Sequence, residues 1–332
     1  MNSPLPRVSV VIPCFRQGRY LAQAIDCLDK QSYRNIEIVV VNDGSDDDTD
    51  EIARSFGSRI VYISQPNGGH ASARNAGMAA AAGEYLLFLD ADDLIHPEVI
   101  QQLVTALEGC PSGTTAMMGY RMFHVENEFY RTVLPPEGNS FFPWVLLRNY
   151  QFNGFLVPKE VALAAGGFDS AMASHEDHDF WLRVAFHSDR LRTIPLTGAY
   201  YRQHPTSESR NPYKMRLGRR QLWARMVGYL EQHPEIEKAY GSLVLRQLYV
   251  ARLLMAAQAP GESRADLDAL ITRLHRDGVR SRRAVLDYAY SFVPQPWRDA
   301  ADDLVLAGFK RFWPGKYREL LGHGASPVTS AP

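Results

Sequence analysis

The sequence predicts an α/β protein: a doubly wound, mostly parallel sheet with helices on both faces, followed by a C-terminal helical extension. Three observations carry that expectation. Strand and helix signals alternate through the first 120 residues. The strands there are continuous apolar runs, as expected of strands covered on both faces. After Asn211-Pro212 helical spacing takes over.

Val8-Ser9-Val10-Val11-Ile12 is a β-branched run ended by Pro13, a buried strand. Tyr20, Leu21, Ala24, Ile25 and Leu28 then recur at helical spacing within Gly18 to Gln31. Ile36 to Val41 is a second strand, closed by the turn Asn42-Asp43-Gly44-Ser45, and Asp50 to Phe56 a short helix. Ile60 to Ile63 is a third strand; Gly68-Gly69 opens an alanine-rich helix, His70 to Ala82; Tyr85 to Leu89 is a fourth strand, ending at Asp90. Further on, Ala116–Tyr120, Gly154–Val157, Leu191–Ile194 and Ala199–Tyr201 read as strands and Asp177–His187 as a helix. Met215–Glu231, Glu235–Ala257 and Arg264–Asp277 read as helices of the extension.

Composition narrows the class. Apolar residues at 45% and charged residues at 22% suit a soluble globular chain. No run approaches the ~18–20 apolar residues a membrane-spanning helix needs, and residues 1–7 lack a signal-peptide pattern. The three cysteines, Cys14, Cys27 and Cys110, form no C-x-x-C pair, which predicts reduced thiols and a cytoplasmic setting. Charge is uneven: 17 basic and 25 acidic residues precede Tyr213, and 19 basic and 12 acidic follow. The acidic part suits a metal. The basic part is too mixed with Asp and Glu for a nucleic-acid stripe, so no nucleic-acid partner is expected.

Ligands of wound sheets bind beyond the carboxyl ends of strands. Three predicted strands end there in polar or irregular segments: Pro13-Cys14-Phe15, Asn42-Asp43-Gly44 and Asp90-Ala91-Asp92-Asp93. Asp90 and Asp92 flank one small residue, Ala91, so both can reach one side of a turn and share Mn²⁺ or Mg²⁺; the plainer reading is a solvated capping turn. Asp43 can accept a hydrogen bond from a nucleobase N–H. Gly68-Gly69 allows close backbone approach and the helix start offers N–H groups to anions. Arg74, one turn in, either reaches a phosphate or ties loops together. The run Ser45 to Asp50 is expected to be a solvated helix start. Glu176 and Asp177 begin a helix, as a base for a hydroxyl or as caps, and Trp181 shares the Asp177 face at i+4 as an aromatic platform. His204 is a metal ligand or a structural histidine.

Together these segments resemble family 2 glycosyltransferases of the GT-A fold. The matching stretches are Val8 to Phe15, Val40 to Ser45, Asn67 to Gly77, Phe88 to Asp93, Gly166 to Asp169, Glu176 to Arg183 and Tyr201 to His204, in the family's order. The resemblance implies an inverting, metal-dependent transferase that uses a nucleotide-sugar, with UDP favoured, and a carbohydrate or lipid-linked glycan acceptor. It implies that Pro13 and Phe15 line the base and ribose pocket, Asp43 binds the base and Arg74 sits near the diphosphate. Asp90 then contacts ribose or metal-bound water, Asp92 ligates the metal with His204 as a further metal or diphosphate contact, and Asp177 is the catalytic base. One departure is Asn42, where many members carry aspartate. The expected domains are residues 1–212 as the catalytic domain, 213–321 as a helical region and 322–332 as a disordered tail. Leu304 to Trp313, apolar and basic together, is read as a peripheral membrane contact or as packing; the first reading places the protein at the inner face of the membrane.

Overall fold

The computed structural model describes residues 5–124, 129–135, 138–146, 152–204, 207, 210–258 and 265–276. Four parallel strands form one half of the sheet. β1 (Val8–Cys14) lies between β2 (Ile36–Asn42) and β4 (Tyr85–Phe88), and β3 (Val61–Ser64) extends the edge beyond β2. Every residue of β1 is buried, as a central strand covered on both faces requires. α1 (Gly18–Asp29) buries the stripe Tyr20, Leu21, Ala24, Ile25 and Leu28, and α2 (Thr49–Ser55) follows β2. α3 (Gly69–Ala80) lies so close to β1 that a Cβ on Gly77 would stand 2.3 Å from Val11 Cγ1. A buried Glu37 joins β2 to this layer, accepting from Ser9 Oγ at 2.5 Å and from Ala82 N at 2.7 Å.

The other half of the sheet is mixed. The short β5 is Leu94–Ile95, and α4 (Val99–Leu107) leads to β6 (Thr115–Phe123). β7 (Phe129–Val133) pairs antiparallel with β6; the helical turns α5 (Phe142–Val145) and α6 (Lys159–Ala164) flank β8 (Phe155–Pro158). α7 (Glu176–His187) precedes the long β9 (Leu191–Arg202). The order is β3-β2-β1-β4-β8-β6-β9-β5, with β7 beside β6. β8 runs antiparallel to β4 and β6, while β6 and β9 are parallel. The parallel character expected of the sheet is thus that of β1 to β4, and the second half mixes both senses. The two strands expected around residues 191–201 form one strand, because register shifts around Gly119 let β9 stay paired with β6.

The chain divides into two compact units, Met1–Gly218 and Arg219–Pro332, where the sequence reading drew its boundary at residue 212. α8 (Pro212–Gln232) begins inside the first unit: Ser174 Oγ donates to Lys214 O at 3.1 Å, and a Cβ on Gly218 would stand 2.2 Å from Ser174 Oγ. In the second unit α9 (Pro234–Gln258) and α10 (Ala265–Arg276) occupy the expected helical segments, and α10 buries Leu267, Ile271 and Leu274. Residues 304–313 and 322–332 lie outside the described residues. No helix among the described residues is long and apolar enough to cross a membrane.

Candidate active site

The ends of β1 and β2 form the floor of a cavity of about 640 Å³, lined there by Pro13, Cys14, Phe15 and Asp43. Asp43 is buried and already accepts three hydrogen bonds: Gln65 Nε2 at 2.7 Å, Gly68 N at 2.9 Å and Gly69 N at 2.7 Å. Its carboxylate therefore pins the glycine turn, with Gly69 at φ +84°, and keeps roughly one of its ~four lone-pair sites for a ligand. Arg16, at φ +54°, links the loops after β1 and β2: its N–H donates to Ser45 Oγ at 3.0 Å and its guanidinium grips Asp46 at 2.6 and 2.8 Å. The acidic run is exposed at Asp46 to Asp48, a solvated helix start as expected, and is tied down as well: Asp47 accepts from Gly18 N at 3.1 Å and Asp50 from Tyr62 at 2.6 Å. Burial pushes the Cys14 thiol up to about 12, which leaves it neutral and inert.

The acidic turn after β4 holds three carboxylates with oxygens within 4.8 Å of one another. They are not equivalent. Asp93 is buried and spends both oxygens internally, accepting from Arg202 N at 2.8 Å and Asn153 Nδ2 at 2.9 Å. Burial, then Asp92 and Asp90, push its carboxyl well above the usual range. Asp92 is also raised by burial and by Asp90, against the pull of His204, whose Nε2 lies 2.8 Å from Asp92 Oδ2. Asp90 accepts from Arg74 Nη2 at 3.0 Å. Ala91 is fully buried.

Arg74 joins this turn to α7. Its Nη1 donates to Glu176 Oε1 at 2.8 Å, and its guanidinium lies 4.4 Å from the Phe152 ring centroid and 5.3 Å from that of Phe168. Burial alone would lower the guanidinium, but Asp90, Glu176 and Asp177 outweigh it and hold it charged. The same exchange lowers Glu176, where Arg74 overcomes burial and His70 adds to the effect. Arg74 thus organises carboxylates, the loop-tying reading of the sequence, with Nε facing no protein partner. Ahead of α7, His175 takes φ +63°, uncommon for a non-glycine residue, and its Nδ1 lies 2.8 Å from Ser174 Oγ. That turn sets Glu176 and Asp177 as the first residues of the helix; Asp177 remains half-buried.

The Trp181 platform is corrected by the structure. Trp181 is buried, stacked on Phe155 with ring centroids 4.6 Å apart and flanked by Phe141 and Phe180. Asp177, in the first helical turn, is half-buried and within electrostatic range of Arg74, whereas the large indole is worth more in the core. Pro13, Phe15, Asp43 and Gly69 do share one cavity, and Arg74, Asp90 and Glu176 one ion-pair group.

Sequence reasoning missed several contributors. Arg202 ties the acidic turn to β9 through Asp92 O at 2.7 Å, and Asn153 holds Asp93. His70, Ser207, Arg210 and Lys214 also line the cavity. Arg202 stood inside a quoted segment, next to His204, but its binding to Asp92 and Asp93 is a long-range contact with no local mark.

Residues 9–168 match the family model described as glycosyl transferase family 2. A protein of Rickettsia felis named as an uncharacterised glycosyltransferase is 34% identical over 205 residues, covering 59% of this chain and 33% of its own length. EpsJ of Bacillus subtilis, also named as an uncharacterised glycosyltransferase, is 30% identical over 232 residues, covering 63% and 65%. The chain therefore spans about a third to two thirds of these two relatives. Among solved structures, Staphylococcus aureus TarS 1–349 in complex with UDP-GlcNAc aligns with TM-score 0.51 at 18% identity, covering 95% of this chain and 84% of that one. The mannosyltransferase PcManGT of Pyrobaculum calidifontis in complex with GDP-Man and Mn²⁺ aligns with TM-score 0.53 at 18% identity, covering 94% and 88%. At such identities the structural likeness speaks to fold alone. Family match, sequence relatives and fold agree: residues 9–168 match glycosyl transferase family 2, and the fold that contains them is of the GT-A type.

Proposed function

We propose that the protein transfers a sugar from a nucleotide-diphosphate sugar, with UDP as the favoured nucleotide, to an acceptor hydroxyl with inversion at the anomeric carbon. The observation that carries this reading is the Arg74 bridge: one buried guanidinium holds Asp90 of the acidic turn and Glu176 of the α7 start, beside the cavity. Pro13 and Phe15 take the base and ribose, with the remaining acceptor site of Asp43 for the base N–H. Asp177 accepts the proton of the attacking hydroxyl, while Glu176, fixed by Arg74, positions it. A single displacement needs no covalent intermediate.

The acidic turn suits Mn²⁺ or Mg²⁺. Among the described residues, Asp90 and Asp92 each keep one carboxylate oxygen beyond their contacts with Arg74 and His204. Asp93, with both oxygens engaged, does not fit as a ligand. Asp92 and His204, with Asp90, would hold the ion, which when bound neutralises charge on the leaving diphosphate. Residues 1–212 are assigned to this chemistry. Synthesis of a bacterial polysaccharide or glycoconjugate in the cytoplasm, at the inner membrane face, fits a nucleotide-sugar donor and the basic C-terminal part.

Calorimetric titration of UDP, GDP and dTDP, each with and without Mn²⁺, tests the donor reading on wild type and Asp92→Ala. One nucleotide should bind in a Mn²⁺-dependent way and lose that dependence in Asp92→Ala. If none binds under any condition, the donor assignment is wrong. A nucleotidyltransferase of similar fold is the second reading; hydrolysis of a nucleoside triphosphate in preference to a nucleotide-sugar would favour it.

A further inference from the structure

We infer that the β6–β7 hairpin is the acceptor platform and that the acceptor saccharide carries negative charge. The stacked His124–Tyr130 pair would hold the sugar face, and Arg131 and Arg210 the anionic group. The inference rests on reading the neighbouring cavity as the donor site.

β7 is an edge strand whose first four residues are exposed, and it places two aromatics on the surface: Phe129 is 50% exposed and Tyr130 38%. Phe129 packs against Phe123 and Tyr200, which leaves Tyr130 as the ring turned to a ligand. The rings of His124 and Tyr130 lie 4.5 Å apart at 14°, a face-to-face stack whose outer aromatic face is the surface left for a ligand. The electron-rich face of such a surface attracts the polarised C–H groups of a pyranose. Burial raises the Tyr130 hydroxyl while Arg131 and Arg210 pull it down, so both guanidinium groups lie within electrostatic range of that ring. Among the described residues neither has an ion-pair partner. Two cations beside an aromatic face, with no carboxylate paired to them among the described residues, suit an anionic ligand.

The position fits an acceptor. Arg210 also lines the cavity with Phe15 and Asp43, so one side chain adjoins both surfaces. The hairpin rises from the strand end that holds the carboxylates: Phe123 of β6 pairs with Arg202, and Gln203 N donates to Phe123 O at 2.8 Å. Arg202 lies 4.7 Å from the Phe123 ring and 4.8 Å from Tyr20, with its backbone N–H on Asp93. A second copy of the chain is the weaker occupant. The edge carries exposed Arg131, and Arg121 lies on the adjoining strand, so pairing two such edges would crowd like charges.

The test uses the full chain and three probes: hexameric oligogalacturonate (carboxylate), a phosphodiester-linked mannose oligosaccharide and neutral maltohexaose. Binding is measured by ligand-observed NMR on wild type, Tyr130→Ala and Arg131→Ala, with UDP and Mn²⁺ titrated in the same series. At least one anionic probe should bind about fivefold or more tighter than maltohexaose, as two exposed charge contacts allow. The preferred anionic probe tells carboxylate from phosphate. Tyr130→Ala should weaken it about two- to tenfold and Arg131→Ala about two- to fivefold. Equal affinity for the three probes, or affinity unchanged in both variants, overturns the inference while UDP binding leaves the donor reading intact. No UDP binding breaks the donor reading instead, and with it the ground of this one. A dimer of the free chain that Tyr130→Ala dissolves would assign the hairpin to self-association and overturn it too.

Discussion

The two halves of the sheet build the site by different means. In the parallel half, β1, β2 and β4 deliver Phe15, Asp43 and Asp90 at their ends, and short loops fix them: Asp43 is held by Gly68 and Gly69 N–H groups within the same half. In the mixed half, side chains reach across. Arg202 and His204 come from β9 and its end to the acidic turn, Asn153 from the segment before β8, and Glu176 from α7 to Arg74. The first half supplies a scaffold with backbone geometry, whereas the second supplies charge balance through long-range pairs. A substitution in the first should disturb fold and nucleotide binding together; one in the second should disturb the electrostatics of the reacting centre.

The largest expected effect is in the mixed half. Asp177→Asn should lower the transfer rate by about 10²–10⁴-fold, the usual worth of a general base, while nucleotide affinity stays within a few-fold. A stopped assay of nucleotide release beside a calorimetric titration checks both. An equal loss in rate and nucleotide affinity would make Asp177 a binding residue instead.

Arg74→Ala probes the seam between the halves. It leaves Asp90 and Glu176 as neighbouring carboxylates without their cation, and the cost should be about 3–5 kcal/mol in urea unfolding. A change under about 1 kcal/mol would mean that the bridge is replaceable by water.

Gly77→Ala tests the parallel half alone. The added methyl meets Val11 Cγ1, so α3 must shift from β1, at about 1–3 kcal/mol of stability. The glycine turn held by Asp43 starts α3, so UDP affinity should fall with stability. Intact affinity would show that the turn is anchored independently of the helix.

The smallest effect concerns Cys14. Buried beneath the cavity and raised to about 12, its thiol should resist iodoacetamide at pH 8 in the folded chain and react once urea unfolds it. Rapid alkylation of native Cys14 would mean that the floor opens.

What the sequence made legible follows the same division. β1 to β4, the glycine turn and the acidic cluster are local patterns: an apolar run ending in a polar turn is readable within ten residues. The edge strand β7 was missed because four of its five residues are exposed and lack the apolar pattern of a strand. Helix α4 was missed although it buries Val99, Ile100, Leu103, Val104 and Leu107 at helical spacing, a signal present in the sequence. Asp93 stands in the acidic cluster with no role of its own in the sequence; only pairing with Arg202 and Asn153, 109 and 60 residues away, gives it one. Trp181 shared a helical face with Asp177 on spacing alone, but the aromatic core around Phe155 claimed it.

The central claim is that Asp177 and the Arg74-linked carboxylates carry out a single inverting displacement on a nucleotide-sugar. The direct measurement is proton NMR of the first sugar released from a UDP-α-sugar with Mn²⁺, water serving as acceptor before mutarotation. The account predicts that the β-anomer appears first and that Asp177→Asn suppresses its formation. First appearance of the α-anomer would contradict it.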